Sequence, residues 1–421
     1  MKELKMEQKS MPQSTTNRMN VKLFFEAVLV SVFVVAAGGA RAHAQNHLSN
    51  PLFVDPATQD FSRNPKLLQR IRSGPHGYFR FINIIFSQEV CRRFEHLLTD
   101  APSLNLHGDA HIEQYAVTDL GRGLTDFDDS STGPGIIDLV RFGVSLNLAC
   151  SANHWQKLQR GMYQKFLDGY VAALQDPTIS APEPKLIQRI RSKFKIDRVS
   201  YFEWIDSIME PMPQQESDSL LTAMKPYVEN MFAENPRLNK NFFQVVKTGY
   251  LRMGIGSALD IKYLVRVQGP SDAPYDDLVL ECKQVRDLRG IPCINSGPNV
   301  DPFRVLLGQA RIAYQPFHHL GYFRFKGYNF WVHSWVDNYK EVKIGKSFAS
   351  PEDLAEVAYD VGVQLGKGHV KHIGAPFDLQ LRRQQLRMVQ EHQAEIIQAC
   401  QELTELTVAA WERFVDKLVK K

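Results

Sequence analysis

Between Leu259 and Val336 the hydrophobic pattern falls to a period of two, while long segments on both sides keep a helical period. That switch constrains the fold most, because a strand pattern wound as a helix buries the wrong residues. In Leu259 to Val267 (LDIKYLVRV), Leu259, Ile261, Tyr263, Val265 and Val267 alternate with mostly polar partners. A loop over Gln268 to Asp276 leads to a second strand, Leu278 to Val285 (LVLECKQV). Tyr322 to Phe325 and Tyr328 to Val336 flank Lys326-Gly327, which suits a tight hairpin. Phe303 to Tyr314 has helical spacing between the two pairs. Residues 254–337 therefore predict strand–strand–helix–strand–strand.

Upstream, helical periodicity starts near Lys66 and resumes from Ile84 to Leu98, with the turn cluster Ser73 to Gly77 between. Residues 136–175 read as helix, with Ile136, Ile137, Leu139, Val140 and Val144 forming an apolar stripe. The basic run Lys185 to Arg198, with Leu186, Ile187 and Ile190 interleaved, reads as a solvated amphipathic face. Downstream, Ser350-Pro351-Glu352-Asp353 is a helix start: an N-cap, a first-turn proline and acids facing the dipole. That helix runs towards Val370, and Leu379 to Leu418 supplies one or two more. No internal repeat is visible, and the class is α+β with a small antiparallel sheet.

The 421 residues are 44% hydrophobic, enough for one large core or two smaller ones. Of the formal charge of +4, residues 1–44 carry +3, with six basic residues against three acidic ones. The body is thus nearly neutral, which argues against a nucleic-acid binder. Residues 1–44 read as a signal peptide: Lys22, the apolar run Ala27 to Ala37, then Ala42-His43-Ala44. Glu26 at the edge of the run and the overlong leader depart from that pattern, and a start at Met19 removes the second departure. The expectation is an exported chain, periplasmic or extracellular, with no stable transmembrane segment after cleavage. An uncleaved membrane anchor is the alternative. Five cysteines without a C-x-x-C pattern exclude a disulfide framework and a zinc knuckle. Cys282 and Cys293 are near enough in sequence to pair, and buried thiols are expected for most of the others.

The chemistry concentrates in His107-Gly108-Asp109-Ala110-His111-Ile112-Glu113-Gln114 and Asp126-Phe127-Asp128-Asp129. Acids this dense repel one another unless a cation or a proton relieves them. Magnesium suits such a site, since it takes one or two carboxylates plus phosphate oxygens. Phosphoryl transfer needs one carboxylate to orient the attacking hydroxyl and another on the metal. A lone histidine near an apolar run, such as His333, His369 or His372, is read as a core group; His111 is kept because it lies within the motif.

These residues resemble the aminoglycoside-phosphotransferase type of kinase-like fold, with its H-G-D-x-H-x-x-N and D-x-[DE] motifs. They resemble more closely the bacterial domain-of-unknown-function 2252 family (DUF2252), whose pattern is G-D-x-H-x-x-N-[FY]-G, D-F-D, G-P and W-D-L-x-R-L. Here those positions read Gly108 to Ala116, Asp126-Phe127-Asp128, Gly133-Pro134 and Ile137 to Phe142. Upstream, Gly74 to Arg80 is similar to the family's S-P-F-x-F-x-R-G segment. Gly254-Ile255-Gly256-Ser257 and Leu278 to Lys283 resemble its G-x-G-S turn and its L-x-L-Q-x-K strand. The resemblance, in patches from about Phe61 to about His372, implies a two-lobed protein-kinase-like fold in circularly permuted order. The divisions are 45–236 for the first part of a helical large lobe, 237–345 for the small β-rich lobe and 346–421 for helices completing the large one. Asp109, with His107 and His111, is implied to be catalytic. Asp126, Gln114 and Asp128 would hold magnesium, and Gly254, Gly256, Ser257, Lys283 and Gln309 would hold ATP or another phosphate compound.

Two departures bear on activity. Gln114 stands where the pattern has Asn, and its amide sits one methylene further out. Phe303 to Tyr314 contains no Glu to pair with Lys283, which leaves Gln309 as a neutral substitute. Export adds a third difficulty, because an exported protein meets little ATP. The main expectation is therefore a magnesium- and nucleotide- or phosphate-binding protein of phosphotransferase type. An exported pseudokinase-like binder of a small anion or protein is the alternative. A metal-dependent phosphohydrolase using His107, Asp109 and His111 comes third.

Overall fold

Residues 50–62, 65–252, 260–297 and 299–419 are described by a computed structural model, and the leader expected at 1–44 lies outside them. The first strong element is an apolar helix, α5 (Ile136–Ala152), buried along nearly its whole length. A helix hydrophobic all round must sit at the centre of a core. Around it lie α1 (Pro65–Arg72), α2 (Pro75–Phe81), α3 (Asn83–Arg93) and α4 (Glu95–Leu98) from upstream, and α6 (Gln159–Gln175) from downstream. The chain then crosses to α7 (Lys185–Arg191), α8 (Arg198–Ile208) and α9 (Gln214–Glu234). It returns after the sheet as α11 (Pro351–Gly368) and the 43-residue α12 (Phe377–Val419). α6 and α11 pack closely because glycine faces backbone: a Cβ on Gly169 would lie 2.2 Å from the Tyr359 carbonyl oxygen, and one on Gly362 2.1 Å from that of Phe166.

The strands are β1 (Ser103–Leu106), β2 (Tyr115–Thr118), β3 (Arg122–Leu124), β4 (Ser131–Pro134), β5 (Val245–Tyr250), β6 (Lys262–Val267), β7 (Leu278–Gln284), β8 (Gly321–Phe325), β9 (Tyr328–Ser334) and β10 (Tyr339–Glu341). β5-β6-β7-β9-β8 form an antiparallel sheet, with α10 (Phe303–Ile312) inserted between β7 and β8. The β8–β9 turn has Lys326 at φ 48° and Gly327 at φ 83°, the conformation tight hairpins require. β1 pairs with β4, and β10 joins β2 and β3.

Alternation gives the five-stranded sheet two unlike faces. Tyr263, Val265, Val267, Leu280, Cys282, Phe330 and Val332 pack against Leu220, Met224, Tyr227 and Met231 of α9. Lys262, Glu281, Lys283, Trp331 and His333 fall on the other face by register. The strand–strand–helix–strand–strand reading therefore holds, and so does the α+β class. The second core begins with α9, upstream of residue 237.

Several expectations change. The Ser73–Gly77 turn narrows, because Pro75 starts α2 directly after Gly74. The helix over 136–175 breaks at Asn153 to Leu158, where His154 takes φ 62°. Cys293 bonds to Cys91, not Cys282, with 5.6 Å between Cα atoms; Cys282 is a buried thiol on the apolar face of β7. No helix among the described residues is long and apolar enough to cross a membrane.

Candidate functional site

β1 delivers His107, Gly108 and Asp109 to a loop that cannot hold itself, since its amides have no strand partner. Asp138, in the first turn of α5, supplies one. Its carboxylate accepts from the His107 N–H at 2.7 Å and from the Gly108 N–H at 2.9 Å. Gly108 sits at φ 80°, and a Cβ there would meet the Asp129 carbonyl oxygen at 2.0 Å. Asp138 is fully buried and in turn 3.2 Å from Nε2 of His369, whose Nδ1 is 2.7 Å from the Tyr170 hydroxyl. Burial pushes the Asp138 carboxyl up, but His369 and the loop amides outweigh it and hold it below its ordinary value.

Three residues further along α5, on the same helical face, Arg141 reaches Asp109. Its Nε and Nη2 donate to Oδ1 of Asp109 at 2.9 and 2.7 Å, and its guanidinium lies 3.7 Å from the centre of the Phe79 ring. The other oxygen of Asp109 faces Nε2 of Gln114 at 3.4 Å and Nε2 of His111 at 3.6 Å. Burial raises the Asp109 carboxyl, against the pull of Arg141.

The predicted site residues divide. His107 engages both ring nitrogens within the loop, Nε2 with the Thr125 carbonyl at 3.0 Å and Nδ1 with the Asp109 N–H at 3.3 Å. It orders the loop. His111 is fully buried beside His76, with ring centres 5.4 Å apart, and burial holds both well below the ordinary histidine value. Gln114 bridges: the same Nε2 that faces Asp109 lies 3.4 Å from Oδ2 of Asp126. Asp126 takes φ 59°, uncommon for a residue with a side chain and of the kind that accumulates at functional sites.

Lys283 comes from β7 to meet this loop. Its ammonium lies 2.6 Å from Oδ1 of Asp126 and 2.6 Å from Oδ2 of Asp128. The Trp331 indole N–H, from β9, donates to Oδ1 of Asp128 at 2.8 Å. Burial alone would lower Lys283, but the two carboxylates hold it well above its ordinary value. Asp126 stays well below its own despite burial, through Lys283, while burial and Asp126 push Asp128 up to about 7. The pair thus shares one lysine.

Among the described residues Gln309 and Lys283 form no hydrogen bond with each other. The Gln309 Oε1 accepts from the Phe317 N–H at 3.5 Å. Arg304, five residues earlier on α10, donates to the carbonyls of Asp128, Ser130 and Arg286 at 2.6, 2.7 and 2.9 Å. Arg286 grips Asp129 at 2.8 Å and Asp260 at 2.8 Å. Gly254, Gly256 and Ser257 lie outside the described residues. Arg286, Arg304 and Trp331 were not singled out by sequence, whereas Arg141 stands at the Arg of the W-D-L-x-R-L pattern that Ile137 to Phe142 resembles.

Among the described residues no group of three or more His, Cys, Asp or Glu is arranged to hold a metal. Asp126 and Asp128 offer a cation two carboxylates, now spanned by an ammonium. Magnesium fits such a set when phosphate oxygens and water complete its shell. Beside the loop, Arg80 to Ile85, Gln284 to Asp287 and Gly327 to Asn329 line a cleft of about 630 Å³, within the size range of small-molecule sites.

The family described as an uncharacterized protein conserved in bacteria, DUF2252, matches residues 63–200 and 188–417. The chain belongs to this family. The match takes in the whole DUF2252 constellation described above, from Asp109 through Asp126 and Asp128 to Lys283. No curated protein and no solved structure matches the chain.

Proposed function

We propose that this DUF2252 protein is a kinase-like, circularly permuted magnesium- and phosphate-binding protein that takes a nucleotide or another phosphate compound between β7 and the 107–128 loops. The observation that carries the reading is the buried ammonium of Lys283, 2.6 Å from both Asp126 and Asp128. A lysine and two carboxylates from separate lobes at one point are what a phosphate–magnesium ligand needs. When bound, magnesium would neutralise phosphate charge, held by Asp126 and Asp128 with the Gln114 amide beside them. Asp109 would orient the acceptor through the oxygen that Arg141 leaves open. Melting curves of the purified full chain with magnesium and a nucleotide panel test this. A rise with both, absent in Asp126→Ala, supports it. No shift with any nucleotide, pyrophosphate or phosphate in the presence of magnesium removes it.

A second reading is favoured by Arg141. With one oxygen of Asp109 held twice by a fully buried guanidinium, the carboxylate is set for structure as much as for proton transfer. This supports an exported pseudokinase-like protein that binds a small anion or a protein without turnover. The Cys91–Cys293 disulfide fits an oxidising compartment and supports the export reading. Binding without release of labelled phosphate to any acceptor separates the two.

A further inference from the structure

Among the described residues that line the cleft beside the acidic loops, every charged side chain is already matched. Arg80 donates to Glu113 at 2.8 Å. Arg286 lies 2.8 Å from Asp129 and 2.8 Å from Asp260, which itself lines the cleft. Asp287 is held by the Arg289 guanidinium at 2.5 Å and by the Arg289 backbone N–H at 3.0 Å. Between these pairs the wall is apolar, with Phe81, Ile84, Ile85, Val285, Val300 and Tyr328. Phe81, Ile84, Ile85 and Val300 pack against the main core yet are only partly buried, so they keep apolar surface for an occupant. A carboxylate or ammonium entering here loses its water and finds no counter-charge that is not already engaged. An apolar body gains from the same burial.

Two of the wall residues reach the acidic loops. Asn83, 3% exposed, donates from Nδ2 to the Gly108 carbonyl at 3.0 Å, one residue before Asp109. Its Oδ1 is buried and has no hydrogen-bond partner among the described residues, where most buried side-chain oxygens have one. Arg286 ends on Asp129, the neighbour of Asp128. The cleft thus adjoins both the loop that carries Asp109 and the loop proposed to hold magnesium. An occupant with an O–H at the Asn83 wall would supply the donor that Oδ1 lacks, and the same contact would bring that hydroxyl towards the Asp109 loop.

We infer that this cleft is the acceptor subsite and that it takes an uncharged alcohol with an apolar body. The inference rests on the phosphotransferase form of the reading above and names its acceptor class. In the transfer, the alcohol oxygen bonds to the terminal phosphorus of the nucleotide or other phosphoanhydride. The bond from that phosphorus to the bridging oxygen breaks, and its electron pair leaves with the shortened phosphate. The hydroxyl proton passes to the oxygen of Asp109 that Arg141 leaves open.

Calorimetric titration of the full chain at neutral pH tests it with cyclohexylmethanol, cyclohexanecarboxylate and cyclohexylmethylamine, probes of one size that differ in charge. The alcohol should bind at least about tenfold more tightly than either charged probe. Its binding should persist with magnesium and nucleotide present, because the two subsites are separate. Ile84→Asp sets an unmatched carboxylate on the wall; it should weaken the alcohol about tenfold and move the amine ahead of the carboxylate. The comparison of probes on the unaltered chain needs no variant, so it stands even if Ile84→Asp fails to fold. Binding of a charged probe as tight as that of the alcohol, no binding of the alcohol, its displacement by nucleotide, or unchanged preferences in a folded Ile84→Asp chain each overturn the inference and leave the phosphate site in place. A chain that takes the alcohol but shows no melting shift with any nucleotide, pyrophosphate or phosphate and magnesium loses the underlying reading, and the acceptor role with it.

Discussion

Single carboxylates in this protein hold more of the site than their own chemistry requires. Asp138 touches no ligand in the proposed scheme, yet the His107 and Gly108 amides both end on it. Asp138→Ala leaves two buried N–H groups without an acceptor, at about 1–3 kcal/mol each. Urea unfolding should show a loss of about 2–6 kcal/mol, and the melting response to magnesium with nucleotide should vanish. Asp138→Asn should fall between the two, as it keeps one acceptor oxygen. Glu281 carries the pH dependence that is easiest to isolate. Burial would raise it, but the His333 hydrogen bond and Lys283 bring it down from 4.5 to about 2. Its folded value is below its unfolded one, so it stabilises the fold above the ordinary carboxylate range. That contribution fades as pH falls from about 4.5 to about 2, and is on the order of 3 kcal/mol in full. Glu281→Gln should therefore lower stability at pH 7 and flatten the acid limb between those values; equal acid limbs in both chains would refute this assignment. At this scale much could be read in advance. H-G-D and D-F-D are local patterns, and Lys283 follows from strand alternation. The contact of Gln309 with the Phe317 N–H left no trace in local sequence, because the approach of α10 to the loop is a tertiary property. A Cβ on Gly308 would lie 2.2 Å from Oγ of Ser130, so the helix meets the acidic loop at that level and Arg304 becomes the residue that reaches it.

Elements were legible in proportion to how far their burial shows in their own residues. β6, β7 and the β8–β9 hairpin alternate and were found. β5 is an edge strand with Val245, Val246 and Lys247 exposed, so no alternation marks it. The break between α5 and α6 lies in Asn153 and His154, a left-handed step that apolar spacing does not report. Least visible is the bond between Cys91 on α3 and Cys293, 202 residues apart in sequence. It joins α3 to the segment between β7 and α10, so its loss should loosen that junction first. Disulfides of native domains contribute about 2–5 kcal/mol, which sets the expected loss for Cys91→Ser. The melting temperature of the unaltered chain should fall on addition of dithiothreitol, whereas that of Cys91→Ser should not respond. An intact chain whose melting is insensitive to reductant, with the bond shown to be reduced, would mean the bridge adds nothing to stability.

The whole molecule closes on itself from both ends of the described chain. One hydrophobic core runs from Leu52, Leu67 and Tyr78 to Leu403, Ala410 and Phe414, and Pro51–Lys421 is a single compact unit. The Trp411 indole N–H donates to the Ile71 carbonyl at 3.1 Å, and the Lys417 ammonium lies 2.5 Å from Asp55. The order helices–sheet–helices was readable from the change of period, because period is a local property. Which late helix completes the early ones was not, since α11 and α12 show their apolar stripes without naming a partner. The glycines between α6 and α11 explain the match after the fact: their backbones approach where any side chain would clash. The consequence is testable by truncation. A chain ending at 345 lacks α11 and α12, and so uncovers Phe142, Phe166 and Tyr170, all fully buried in the complete protein. Each large apolar side chain left exposed forgoes about 1.5–3 kcal/mol, and a domain is stable by only about 5–15 kcal/mol. Residues 1–345 should therefore show no cooperative unfolding transition and should bind an apolar dye, while co-expressed 346–421 should restore part of the transition. A cooperative transition in the fragment alone would mean that the last two helices decorate the helical core instead of completing it.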